Sequence, residues 1–125
     1  MNYKRLSDGE LTVMNAIWES KELPVTRSMI EEKIADKNWN VNTVNTFLSR
    51  LTEKGAVESV RHGKTNYYTP AYDKTGYLAF EGSSFLERMY GNSLGKFVNA
   101  LSSTHSLRKQ DIEELEAFLK KVKED

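Results

Sequence analysis

The chain has 125 residues, a formal net charge of +0, 38% hydrophobic and 29% charged residues, and no cysteine. That length fits one domain, or one compact domain with an appendage, able to bury roughly two-thirds of its unfolded surface. Lack of cysteine excludes disulfides, thiolate metal sites and cysteine nucleophiles; no apolar run reaches transmembrane length and MNYKRLSDGE is no signal peptide, so a cytoplasmic protein is expected.

Leu6-Ser7-Asp8-Gly9-Glu10-Leu11 is a helix-start signature. Ser7 and Glu10 have capping-box spacing, and Leu6 and Leu11 that of a hydrophobic staple. The helix that follows carries Leu11, Met14, Ile17 and Trp18 on one face and should end near residue 19 or 20. Pro24 bars helix just before it and leaves a short extended piece over residues 23–25. Thr26 can cap a second helix ending around residue 37, with Ile30, Ile34 and Met29 inward and Arg27, Glu31, Glu32 and Lys33 outward.

Residues 38–55, NWNVNTVNTFLSRLTEKG, form the most informative stretch. Val44, Phe47, Leu48 and Leu51 make one apolar helical stripe. The opposite face carries Asn42, Thr43, Asn45, Thr46, Ser49 and Arg50, short polar groups rather than the usual Glu/Lys mixture. Asn40 can cap this helix and Gly55 can end it in the left-handed conformation. Such a face suits a DNA major groove, where Asn reads adenine and Arg reads guanine. An ordinary solvated face is the competing reading.

After Gly55 the period changes from 3.6 to 2. Residues 57–61 and 66–69 read as strands joined by His62-Gly63-Lys64-Thr65, a hairpin with a basic tip. Helix, helix, helix, hairpin is the order of a winged helix-turn-helix, with residues 42–54 as recognition helix and residues 61–65 as wing. Arg61 and Lys64 then face flanking phosphates rather than bases. The neutral chain lacks the strongly basic footprint usual in nucleic-acid binders, but residues 37–67 carry five basic and two acidic residues. Weak non-specific DNA affinity is expected.

From residue 73 the chain turns helical again. Residues 74–90 carry Tyr77, Leu78, Phe85, Leu86, Met89 and Tyr90; Gly91 and Asn92 break the run. Residues 94–101 hold Leu94, Phe97, Val98 and Leu101, and residues 108–123 hold Ile112, Leu115, Phe118, Leu119 and Val122. These apolar faces need a surface to cover them, either the winged domain on which they fold back or a second copy of the chain, and the second is the reading favoured. Residues 1–72 therefore read as a winged-helix DNA-binding domain and residues 73–125 as a helical dimerisation domain, because readers of this kind bind two-fold sites as dimers. The expected dimer residues are Leu86, Met89, Phe97, Val98, Leu101, Ile112, Leu115, Phe118 and Leu119. The fold expected is mostly α with a small β-hairpin. No P-loop, GxGxxG, HExxH or nucleophile elbow is present, so neither an enzyme nor a cofactor or metal is expected.

With these residues in hand, the chain resembles the penicillinase and methicillin-resistance repressors and the related copper-responsive repressors (the BlaI/MecI/CopY type). The resemblance rests on Leu6-Ser7-Asp8-Gly9-Glu10, Val13-Met14 and Ile17-Trp18; on Trp39, Thr43-Val44, Thr46, Leu48, Arg50-Leu51 and Lys54-Gly55; and on Gly63-Lys64, Tyr67-Tyr68 and Pro70, with Asp111-Ile112-Glu113-Glu114-Leu115 near the end. It implies a homodimeric winged-helix repressor on a palindromic operator, controlling a β-lactamase or other antibiotic-resistance operon. It puts Thr43, Thr46 and Arg50 toward DNA and Trp39 near the backbone. Asn42 and Asn45 depart from the residues usual at those positions, as does Val41 at the helix start. The absent cysteines exclude the copper-sensing motif. The β-lactam-responsive relatives are inactivated through a membrane sensor-protease pathway, typically at an Asn-Phe bond. That pair is absent, and Asn99, Ala100 and Leu101 mark the corresponding region. Two rival readings remain: a winged-helix regulator released by a small molecule, and a winged-helix protein–protein module.

Overall fold

The computed structural model describes residues 2–124. Helix α1 (Asp8–Trp18) starts where its first-turn N–H groups find partners: the Ser7 side chain accepts from the Glu10 N–H, and the Glu10 carboxylate accepts from the Ser7 N–H at 2.8 Å. Val13, Met14, Ala16 and Ile17 are buried, whereas Leu11 and Trp18 are half-buried at the edge of the core. Strand β1 is Val25–Thr26, so of the extended piece expected over residues 23–25 only Val25 is strand, while residues 23 and 24 are bends. Thr26 caps α2 (Arg27–Lys33) by accepting from the Met29 N–H. Helical geometry fails at Ile34 (φ −112°, ψ 24°), so the segment expected to stay helical to residue 37 ends as a 3₁₀ turn, Ala35–Lys37.

Helix α3 (Val41–Glu53) is capped by Asn40, whose side-chain oxygen accepts from the Thr43 N–H at 2.9 Å. Its end is a Schellman motif. Gly55 takes φ +78°, the Gly55 N–H donates to Thr52 O at 3.0 Å, and the Ala56 N–H donates to Leu51 O at 2.9 Å. Leu51 and Ala56 are both fully buried, which supplies the apolar contact of that motif. Val44, Leu48 and Leu51 pack inward, each contributing about 1.5–3 kcal/mol of burial.

Strands β2 (Val57–His62) and β3 (Thr65–Pro70) form the hairpin, with His62 opposite Thr65 and Val57 opposite Pro70. The turn is therefore two residues, Gly63-Lys64. Gly63 sits at its first central position with φ +63°, as a type II′ turn requires. β1 adds to β3 antiparallel, giving a three-stranded sheet of order β1-β3-β2.

Two compact units divide the chain, Met1–Glu81 and Gly82–Asp125. The first takes in Tyr77 and Phe80, from the start of α4 (Lys74–Tyr90), which periodicity alone groups with the C-terminal helices. Tyr77 is fully buried and its hydroxyl accepts from the Leu6 N–H at 2.8 Å. Tyr72 stacks on it at 5.7 Å, and the Trp18 indole donates to Tyr72 O. Burial, then the Glu81 carboxylate, push the Tyr77 phenol well above its ordinary value, so it stays protonated.

The second unit comprises the rest of α4, α5 (Leu94–Ser103) and α6 (Lys109–Glu124). Gly91 (φ +55°) and Asn92 (φ +67°) turn the chain after α4, and His105 (φ +58°) after α5. The rings of Phe85, Tyr90 and Phe97 cluster at 5.3–6.0 Å. No residue of α5 or α6 is buried among the described residues.

Candidate nucleic-acid interface

The front of α3 is open to solvent. Asn42, Asn45, Thr46, Ser49, Arg50 and Glu53 line a shallow concave surface along it. Thr43 and Thr46 are tied locally: the Thr43 hydroxyl donates to the Asn40 side chain at 3.1 Å and the Thr46 hydroxyl to Asn42 O at 2.9 Å. Each hydroxyl oxygen keeps lone pairs with which to accept from a ligand. The Asn42 and Asn45 amides make no hydrogen bond among the described residues, so both retain donors and an acceptor. Arg50 lies with its guanidinium carbon 6.0 Å from the centroid of the Phe47 ring, which restrains its stem beneath an exposed head.

Trp39 is half-buried, its ring 5.2 Å from Phe47. Phe47 in turn lies against Gly9 of α1, where any Cβ would overlap the ring. Glycine at this point lets α1 and α3 approach. The aromatic column Trp39–Phe47 thus backs the face that presents Arg50.

A second device fixes the other end of α3. The Glu10 side chain is 2% exposed and paired with the Lys54 ammonium, which also donates to Arg5 O at 2.8 Å. Lys54 O accepts from the Tyr72 hydroxyl at 3.1 Å. Burial pushes the Glu10 carboxyl up, but the hydrogen bond and charge of Lys54 and the bonds from Ser7 outweigh it and hold the carboxyl below its ordinary value. Charge counting credits Lys54 to a basic patch, whereas its charge is spent on Glu10. Sequence reasoning gave Glu10 only its capping role. The available signal was its place on the inward face of α1, one turn before Val13 and Met14.

The wing presents Arg61 and Lys64 to solvent. Arg61 Nε–H donates to Gly63 O at 3.0 Å, so Arg61 braces the turn it flanks. His62 is exposed, its ring 5.6 Å from Tyr67. Between wing, α2 and α3 lies a polar cleft whose lining includes Arg27, Ser28, Asn45, Lys64, Thr65 and Asn66. Arg27, Ser28 and Asn66 carry no motif, and only the packing of the three elements brings them to Asn45.

Among the expected dimer residues, Met89, Ile112, Phe118 and Leu119 are exposed at 45–61%. Leu86, Phe97, Val98, Leu101 and Leu115 are half-buried. Asn99, Ala100 and Leu101 are helical, inside α5. No described helix is long and apolar enough to cross a membrane.

Three helices and a hairpin, with the polar front of the third helix open beside the hairpin, define a winged helix-turn-helix module, an architecture that reads DNA by setting one helix in the major groove. The family described as Penicillinase repressor matches residues 6–121, and the chain belongs to that family of DNA-binding transcriptional repressors. It is 33% identical over 119 residues to a penicillinase repressor of Bacillus licheniformis, spanning 95% of this chain and 92% of that one. The methicillin resistance regulatory protein MecI of Staphylococcus aureus is 27% identical over 116 residues, 93% of this chain and 94% of its own. The solution structure of the DNA binding domain of the repressor BlaI is similar at a TM-score of 0.51 and 32% identity, covering 61% of this chain and 94% of that one. That of monomeric Bacillus licheniformis BlaI with the blaP half-operator gives 0.50 and 30%, covering 61% and 92%.

Proposed function

We propose that the protein is a cytoplasmic homodimeric repressor that binds a palindromic operator and controls a β-lactamase or related antibiotic-resistance operon. The observation carrying this reading is the open polar front of α3, with Arg50 as its cation and Glu53 its one carboxylate toward the C-terminal end, held from behind by Phe47 and Trp39 and at its end by the Glu10–Lys54 pair. In it, residues 1–72, packed with the start of α4 in the first unit, supply the winged-helix core that meets DNA, and the dimerisation helices of the 73–125 segment act from Gly82 onward. Asn42, Thr43, Thr46 and Arg50 meet the major groove, Asn45 meets DNA beside them, Arg61 and Lys64 meet flanking phosphates, and Trp39 supports the helix start.

Arg50→Ala should weaken operator binding by about 1–3 kcal/mol, the range for one good base contact. A gel-shift titration of the folded variant tests this, and unchanged affinity would remove Arg50 from the interface. Binding must also weaken steeply with salt, which a protein–protein module of the same fold would not require.

For the dimer, support comes from α5 and α6, in which no described residue is more than half-buried while Phe118 and Leu119 stay exposed. Full-length protein carrying Phe118→Asp and Leu119→Asp should sediment as a monomer and the parent as a dimer. Equal sedimentation of the two would refute this surface. Release by a sensor-protease pathway at residues 99–101 is the matching reading of induction. An Ala100→Pro variant cut as fast as the parent in induced cells would exclude that site.

A further inference from the structure

We propose that the cleft between α2, α3 and the wing seats a backbone phosphate of bound DNA, and that Asn45 is a phosphate-positioning residue rather than a base reader. The proposal rests on the DNA-binding reading above and assigns a role to a site adjoining the groove-facing surface. Asn45 lines both the α3 front and this cleft, and it is half-buried where Asn42, Thr46 and Ser49 are exposed. Asn45 thus borders the wing as well as the α3 front, and it is less open toward base edges than Asn42.

The cleft has the chemistry of an anion seat. Arg27 and Lys64 bring positive charge from two different elements; Ser28, Asn45, Thr65 and Asn66 bring neutral donors. No carboxylate belongs to its lining among the described residues. Glu31 holds Arg27 by Nε alone, at 2.8 Å, so the two terminal amino groups of the guanidinium remain available. The cleft is open on one side, and its volume, about 180 Å³, admits a phosphodiester group with water but not a base pair. A duplex whose major groove holds the front of α3 must run one strand past the wing, so a phosphate arrives where these donors converge.

The experiment uses the full-length protein, its best duplex selected from a random-sequence library, and a scrambled duplex of the same composition. Binding is followed by anisotropy over a salt series, with circular dichroism melts to verify folding. Arg27→Ala should weaken both duplexes by the same factor and lower the log–log salt slope by about 0.9, the value for one phosphate. Asn45→Ala should weaken both equally without changing the slope, because no charge is lost. Ser28→Asp, an exposed change that sets a carboxylate in the cleft, should weaken both more than either. Loss confined to the selected duplex in Asn45→Ala would make Asn45 a base reader and overturn the proposal. So would unchanged binding in folded Arg27→Ala and Ser28→Asp. A parent protein with no salt-dependent affinity for either duplex would instead sink the DNA-binding reading itself.

Discussion

Replacing Gly9 by alanine sets two effects against each other. Alanine favours helix over glycine by about 0.8–1.0 kcal/mol in a helix interior, and by less in the first turn where Gly9 lies. Against this, the new Cβ would meet the Phe47 ring. Even the farthest of the three nearest ring atoms, Cε2, would be 2.8 Å away, where carbon atoms ordinarily rest at about 3.5–4.0 Å. The ring must retreat by about an ångström or more, yet Trp39 stands behind it at 5.2 Å and it belongs to the packed edge of the core. Overpacking of this kind costs about 1–3 kcal/mol. Packing wins, and Gly9→Ala should destabilise the protein by roughly 1–2 kcal/mol, lowering Tm by about 4–8 °C per kcal/mol for a unit of this size. Operator affinity should fall too, since Phe47 carries Arg50. The assay is a thermal melt of full-length Gly9→Ala, Phe47→Leu and the double variant. In the Phe47→Leu background the clash is gone, so Gly9→Ala should cost nothing or stabilise. A parent-like Tm for Gly9→Ala, or the same loss in both backgrounds, would refute the reasoning.

Lys54→Met leaves the buried Glu10 carboxylate with only its Ser7 partners. Loss of one member of a buried pair costs about 3–5 kcal/mol, reduced here to about 1–3 because the Lys54 side chain is 29% exposed. Urea unfolding should show a lower midpoint at an unchanged slope, and Glu10→Gln added to Lys54→Met should restore part of the loss. The same pair predicts acid lability. The folded Glu10 value lies below the unfolded one, so its stabilisation is complete above about pH 4.3 and disappears as pH falls through the folded value. A Glu10→Gln protein measured by urea unfolding across that range should lack this component; an identical pH profile would discount the pair. Tyr77→Phe strands the buried Leu6 N–H and should cost about 1–3 kcal/mol by the same measurement, while a neutral outcome would mean that water replaces the hydroxyl.

Local chemistry made much of this molecule readable from its sequence. The Ser7–Glu10 capping box, the Asn40 cap, the apolar stripe Val44–Leu48–Leu51, the Gly55 stop and the Gly63 turn depend on neighbours within a few residues. From them follow the element order, the winged-helix class and the polar front of α3. The tertiary structure alone decided what depends on distant partners. It paired Lys54 with Glu10, set Gly9 against Phe47, drew β1 into the sheet beside β3, and carried Tyr77 into the first unit under Leu6. It also gathered Arg27, Asn45 and Asn66 around one cleft. Period and spacing report which face of an element is dry, because that is set by the helix and strand repeats. Which residue meets which across elements is set by the packing of those faces, and a Glu that caps its own helix gives no local sign of the lysine it will bury against.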